Sequence, residues 1–328
     1  MTSDLTFDRV QTMIAPQTTF TINSSISELV DRYDGFILDQ FGVMHNGVHA
    51  LEGASECVHE LKKRGKRLII LSNSSALAVS TMEKLPKLGF DRSDFAGATT
   101  SGEEAANHLR KKYQGKRALF LTWKTPKVPS PLIFLEKCGD VTVAESLDNA
   151  DFILLHGCEV IRGIGADGEA SEESLGGYME TGDMSEVVEP LLQRCLQRSL
   201  PMVCANPDFI YVRPDHKSIG HMPGKIAKRY EELGGSVVSF GKPHPKHFEA
   251  CILKLGLPKD KVVHVGDSMH HDIAGANEAG IQSILVAGGV HRDELGCALG
   301  SIPTKEAVDR LVAKYKYSPT HVVPLLRF

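Results

Sequence analysis

Phe36-Ile37-Leu38-Asp39-Gln40-Phe41-Gly42-Val43-Met44-His45-Asn46-Gly47 is the stretch whose reading decides the fold. A short apolar run ends in a carboxylate, a Gly-Val pair follows, and Asn46-Gly47 breaks the chain. An apolar run too short for a helix reads as a strand covered on both faces, the habit of parallel sheets in α/β proteins. Such sheets bind ligands beyond the carboxyl ends of their strands, where Asp39 would fall. A turn aspartate capping the next segment is the competing reading, and only the rest of the chain separates the two.

Outward from this strand the same grammar repeats. Ala54, Cys57, Val58 and Leu61 recur at helical spacing until Arg64-Gly65 closes a helix, and Arg67-Leu-Ile-Ile-Leu-Ser72 then forms a second apolar strand ending in Ser72-Asn73-Ser74. Strand, helix, strand is the unit of a parallel sheet, so this polar tip is predicted beside Asp39. A helix to about residue 88 and the stretch 94–100 follow. Upstream, Ser25-x-x-Glu28 predicts a capping box with Ile26, Leu29, Val30 and Tyr33 on one helical face. Residues 1–23 are polar, contain Pro16 and lack periodicity, which predicts a loosely held arm.

Late in the chain, Val237-Val-Ser-Phe-Gly-Lys242-Pro-His-Pro leads to a helix with Phe248, Cys251, Ile252 and Leu255 on one face. Lys261-Val-Val-His-Val-Gly266-Asp267-Ser268 is a strand ending in another carboxylate, with Asp272 five residues on. A small-residue helix over 273–279 and a strand over 283–287 complete a third unit, and 288–328 carries one more helical pattern and a tail. Between the two series, strands are predicted at 118–122, 152–157 and 202–205, with helices near 103–112 and 185–199. Because the late strands need Asp39 as partner, 101–236 is read as an α/β domain inserted into a doubly wound parallel core made of 24–100 and 237–328.

Composition excludes several classes of function. The 328 residues are 42% hydrophobic and 6% aromatic, enough for real cores and more in keeping with an α/β enzyme than a binding sandwich. A net charge of −4 with mixed signs gives no broad basic face for nucleic acid. Seven cysteines lie singly, without metal or redox spacing, as reduced core thiols do. No apolar run approaches the ~20 residues that span a bilayer, and the N-terminus lacks a leader pattern. A cytoplasmic protein without membrane attachment is the expectation.

Four strand tips thus carry polar groups: Asp39, Ser72 with Asn73, Lys242, and Asp267 with Asp272. Carboxylates and a backbone carbonyl at neighbouring tips suit Mg²⁺, a hard ion that takes few protein ligands plus substrate phosphate. Ser72 and Lys242 suit the non-bridging phosphate oxygens, and a carboxylate such as Asp39 can attack phosphorus covalently. The motifs Leu38-Asp39-x-x-Gly42-Val43, Leu71-Ser72-Asn73, Gly241-Lys242-Pro243 and Gly266-Asp267-Ser268-x-x-x-Asp272 resemble, in order and spacing, those of the haloacid dehalogenase-like (HAD) hydrolase superfamily. With the insert between the second and third motifs, and Ala205-Asn206-Pro207-Asp208 inside it, the chain resembles the NagD-like subclass IIA with a large α/β cap.

The resemblance implies a Rossmann-like core, a mobile cap, Mg²⁺ dependence and hydrolysis of a small phosphorylated metabolite. It makes Asp39 the nucleophile and Ser72, Asn73 and Lys242 the phosphate site, with Lys242 also counted as catalytic. It makes Asp39, the Phe41 carbonyl, Asp267 and Asp272 the metal set, and Asn206 and Asp208 a substrate loop. A homodimer through the cap is the self-association it suggests. One position departs from the family: where its phosphatases carry a second aspartate for acid–base work, this chain has Phe41, and losing such a group typically costs ~10²–10⁴ in rate. Either His45 supplies the proton, or the substrate has a good leaving group such as an acyl phosphate, or the protein binds a phospho-ligand with little turnover.

Two further signals are weighed down. Gly163-Ile-Gly165-Ala-Asp-Gly168 matches a dinucleotide fingerprint, but Glu169-Ala-Ser-Glu-Glu follows instead of an apolar helix start, which predicts a loop rather than an NAD site. His244, His247, His264, His270 and His271 fit no zinc spacing and read as polar residues around the phosphate pocket.

Overall fold

The computed structural model describes residues 19–125, 130–164, 170–215 and 218–328. Their strands form two main sheets. The first runs in the order Thr21–Ile22, His321–Val323, Gln282–Val286, Val262–Gly266, Gly35–Leu38, Arg67–Ser72, Phe95–Thr100, with every neighbouring pair parallel. Gly35–Leu38 and Val262–Gly266 are neighbours, Leu38 opposite Val265, so Asp39 and Asp267 leave the sheet side by side.

The continuous apolar run arises because alternate side chains enter two different cores. Phe36 and Leu38 pack with Cys57, Val58 and Leu61 of the helix Ala54–Lys63. Ile37 points the other way, among Phe248, Cys251 and Leu255 of the helix Pro245–Leu255 and Ala276 and Ala279 of Ala274–Ala279. Helices on both faces make this the doubly wound α/β core that the sequence predicts.

In the second sheet the order is Val237–Ser239, Met202–Cys204, Phe152–Leu155, Arg117–Thr122, then the antiparallel pair Val160–Ile164 and Ala170–Ser174, with Thr142–Val143 also beside Arg117–Thr122. The three strands predicted in the insert are all present in it. Val237–Ser239, read as the start of the core's second half, instead pairs parallel with Met202–Cys204. Lys242, three residues beyond it, reaches the core site.

Other expectations are corrected at the edges. Thr21–Ile22 is not a loose arm but an edge strand on His321–Val322, too short to show periodicity; residues 1–18 lie outside the described residues. The segment after Ser25 forms two 3₁₀ turns, Ile26–Glu28 and Val30–Arg32, rather than one α-helix. Glu28 accepts from the Ser24 N–H at 2.8 Å, so the reciprocal box with Ser25 is not made. Ile26, Leu29, Val30 and Tyr33 are nevertheless all buried, because two tight turns bring the same residues inward. The supposed tail contributes His321–Val323 to the core sheet and buries Leu325 and Leu326. Of the glycine-rich stretch, Gly163 sits in the strand Val160–Ile164 while 165–169 lie outside the described residues. Among the described residues no helix is long and apolar enough to cross a membrane, and none of the seven cysteines is in a disulfide.

Candidate active site

Parallel strands deliver Asp39, Ser72 and Asp267 to one edge, and the loop and turn that follow bring Lys242 and Asp272 to them. The Lys242 ammonium donates to Asp39 Oδ1 at 2.6 Å and to Asp272 Oδ1 at 2.8 Å. Asp272 stands on a π turn, Met269–Ile273; its Oδ1 also lies 2.7 Å from His264 Nε2, and its Oδ2 accepts from the Ser268 N–H at 3.0 Å. Asp267 Oδ2 accepts from the Val290 N–H at 2.9 Å. Asp39, Lys242, Asp267 and Asp272 are all buried. One oxygen from each of the three aspartates lies within 4.8 Å of the others.

Close approach here depends on a residue without a side chain. Gly42 has φ +80°, and a Cβ there would stand 2.0 Å from Asp267 Oδ2. Gly42→Ala therefore combines a left-handed backbone with a clash against a buried carboxylate. It is expected to cost ~1–3 kcal/mol of stability and to displace Asp267; an unchanged thermal midpoint with unchanged Mg²⁺ affinity would contradict this.

Charge is unevenly held. Burial raises the Asp39 carboxyl to about 7, against the pull of the Lys242 ammonium and with the push of Asp272. Asp267 is raised well above the usual range by burial and by the Asp39 and Asp272 charges. Burial opposes the charge of Asp272 too, but Lys242 and the His264 bond outweigh it and hold its pKa below the usual range. Lys242 in turn is kept protonated: its burial is overcome by Asp272 and Asp39. One ammonium thus neutralises one carboxylate, and two others resist ionising until another cation arrives. This donor set fits a divalent ion such as Mg²⁺.

A pH dependence follows. Asp39 titrates near 4 when unfolded and at about 7 when folded, so between these values the metal-free folded state binds more protons and loses stability as pH rises. Asp272 acts oppositely, contributing stability above its unfolded pKa that is lost as pH falls through its depressed folded value. Mg²⁺ binding is expected to release protons at pH 7 and to tighten as pH rises through 7. Calorimetry in buffers of different ionisation enthalpy measures the release; a heat independent of buffer would contradict it.

Ser72 is buried, its hydroxyl accepting from the Ser74 N–H at 3.2 Å, and lines a cavity of about 910 Å³ shared with Asp39, Lys242, Asp267 and Asp272. Asn73 lies beside the cavity as a bracket: it accepts from the Lys242 N–H at 2.7 Å and donates to the Lys242 carbonyl at 3.1 Å and Asp208 Oδ1 at 2.8 Å. Asn206 and Asp208 line the cavity from the inserted segment, with Asn206 Oδ1 accepting from the Asp208 N–H at 3.1 Å. Burial raises Asp208 to about 6, against Lys242 and Asn73.

Phe41 is 41% exposed and lines the same cavity, its ring edge-on to His45 at 4.8 Å. His45 is buried, accepts from the Gly47 N–H through Nδ1 at 3.1 Å, and is lowered to about 4 by burial and the Lys84 charge. A neutral imidazole is a poor proton donor. Among the described residues the three aspartates are the one group suited to a metal, and the histidines do other work. His271 Nδ1 lies 3.2 Å from the Lys242 carbonyl, and the His270 ring lies 4.9 Å from Phe209.

Sequence reasoning missed the Ser101 hydroxyl, which lies 2.6 Å from the Asn73 carbonyl and 2.8 Å from that of Ala205 and so pins the two sheets' loops together. It also missed Lys225 and Lys228, which face the cavity from the helix Pro223–Glu232; their i, i+3 spacing was the only available signal.

Three family models match the chain: one described as HAD-hydrolase-like over residues 239–327, and two described as haloacid dehalogenase-like hydrolase over 36–127 and 182–280. Phosphoglycolate phosphatase 2 of Arabidopsis thaliana is 25% identical over 84% of this chain and 89% of its own. Ribonucleotide monophosphatase NagD of Escherichia coli is 27% identical over 77% and 87%, and human chronophin 24% over 83% and 86%. A haloacid dehalogenase-like hydrolase structure from Brucella suis superposes with TM-score 0.70 at 22% identity, covering 93% of this chain and 99% of its own. Its likeness bears on the fold.

Proposed function

Because the chain belongs to the haloacid dehalogenase-like hydrolase superfamily, we propose that it is a phosphoric monoester hydrolase acting on a small phosphorylated metabolite, with Asp39 as nucleophile. The observation that carries this reading is the Lys242 ammonium held between Asp39 and Asp272 at the strand ends, beside Asp267. An Asp39 oxygen forms a bond to phosphorus as the ester P–O bond breaks, and the departing oxygen takes up a proton. Water then cleaves the aspartyl-phosphate, regenerating Asp39 and releasing phosphate. Ser72 and Lys242 bind the non-bridging oxygens, and Asn73 positions Lys242.

Asp39, Asp267 and the Phe41 carbonyl are the proposed Mg²⁺ ligands, with Asp272 supporting them through Lys242. The ion, when bound, supplies charge neutralisation for the phosphoryl group and the carboxylates. With an apolar ring at position 41 and a neutral His45, neither of these two residues protonates the leaving oxygen. Substrates with good leaving groups, acyl phosphates among them, are therefore favoured.

The same feature supports a second reading, a phospho-ligand-binding protein with little turnover. Phosphate release from sugar phosphates, nucleotides and acyl phosphates separates the two. Release that requires both Mg²⁺ and Asp39, lost in Asp39→Asn, is expected. Equal release by Asp39→Asn would overturn the mechanism, and saturable phosphate-ester binding without release would favour the second reading.

A further inference from the structure

Carboxylates and lysines line the cavity from different elements. Asp39, Asp267 and Asp272 line it from the core and Asp208 from the inserted segment, and among the described residues no other carboxylate lines it. On the wall formed by the helix Pro223–Glu232, Lys225 and Lys228 stand one turn apart. Among the described residues no carboxylate comes within 4.0 Å of either ammonium: Lys225 Nζ lies 3.0 Å from His221 Nδ1, and Lys228 Nζ stands 5.8 Å over the Phe209 ring.

Neighbouring groups do not supply the missing negative charge. Burial lowers the pKa of His221, helped by Lys225 and Arg213, so its imidazole stays neutral. Arg213 itself donates to the carbonyls of Ile219 and Met179 at 3.3 and 3.4 Å. The same helix does pair its cation away from the cavity, where Arg229 meets Glu189 at 2.6 Å. Half-buried Lys225 loses hydration without gaining a counter-charge, an arrangement that a bound anion corrects.

We infer that Lys225 and Lys228 bind a second anionic group of the substrate, so that the preferred phosphate ester also carries a carboxylate or a second phosphate. This rests on the hydrolase reading of the same site and adds to it a specificity wall on the inserted segment. The phosphoryl group reacts at Asp39 while the second anion docks at the helix Pro223–Glu232. A volume of about 910 Å³ accommodates a ligand with two separated anionic ends.

Two matched pairs of probes test this in Mg²⁺: 3-phosphoglycerate against glycerol 1-phosphate for a carboxylate, and fructose 1,6-bisphosphate against fructose 1-phosphate for a second phosphate. In at least one pair the doubly anionic member is expected to have the higher kcat/KM. The double variant Lys225→Gln/Lys228→Gln, checked for an unchanged thermal midpoint, should lower that preference by on the order of tenfold to a hundredfold, the loss of one or two charge-assisted hydrogen bonds. Lys111→Gln/Lys112→Gln, two exposed lysines outside the cavity lining, controls for the same change in net charge. The same preference in wild type and double variant, or none in wild type, overturns the inference. If no probe is hydrolysed, calorimetric dissociation constants for the same pairs decide the inference, which stands only if the doubly anionic probe binds tighter and the double variant removes the difference; the hydrolase reading is decided separately by acetyl phosphate, and fails if its hydrolysis does not require Asp39.

Discussion

Lys242→Met is expected to destabilise the metal-free protein by ~3–5 kcal/mol, because removing one partner of a buried ion pair leaves its charges uncompensated. Phosphate release should fall at least ~10²-fold, the usual cost of losing a charge that stabilises the transition state. In this chain one ammonium serves both Asp39 and Asp272, at 2.6 and 2.8 Å, and Asp267 is buried beside them. Without it, the three buried carboxylates lose the ammonium that pairs with Asp39 and Asp272.

The loss is expected to be smaller at pH 5 than at pH 8, since Asp39, already raised to about 7, takes up a proton at the lower pH and removes one of the repelling charges. Saturating Mg²⁺ should recover part of it. Denaturant titrations of wild type and variant at both pH values, with and without Mg²⁺, measure this. Equal stability of the two proteins at pH 8 without metal would show that the bridge contributes nothing.

Phe41→Asp carries the second large effect, in the opposite direction. It is expected to raise turnover of an alcohol phosphomonoester by ~10²–10⁴, the usual contribution of a positioned acid–base group. Turnover of an acyl phosphate should rise through the second step alone, where hydrolysis of the aspartyl-phosphate gains a base, because its leaving group needs no proton in the first. The position can accept the change: Phe41 is 41% exposed, lies along the cavity, and packs on His45 rather than in the core. Rates for both substrates before and after the substitution measure it. An unaltered rate for the alcohol ester would mean that proton transfer to the leaving oxygen does not limit the reaction.

Where a residue's placement follows from a strand end, the sequence was legible. Asp39, Ser72 and Asp267 close apolar runs whose alternate residues fill two cores, and parallel pairing leaves their ends on one edge. Lys242 was legible only through its Gly-Pro setting, and the strand before it was assigned to the wrong sheet because a three-residue strand, Val-Val-Ser, carries no record of its partner. His321–Val323 escaped for the same reason.

Ser101 and Lys225 gave little signal on other grounds: what each faces depends on how the inserted segment sits against the core. No periodicity encodes that placement. The Glu28 bond to Ser24 shows a related limit, since the capping motif was present but the backbone turned more tightly than an α-helix and shifted the bond by one residue.

Acid quenching during turnover of labelled acetyl phosphate with Mg²⁺ tests the central claim most directly. The first step needs no acid with this substrate, whereas hydrolysis of the aspartyl-phosphate lacks the base that a carboxylate at position 41 would supply. Labelled protein should therefore accumulate, with peptide mapping locating the label at Asp39 and Asp39→Asn carrying none. Phosphate release without labelling at Asp39, or at the same rate in Asp39→Asn, would contradict the account.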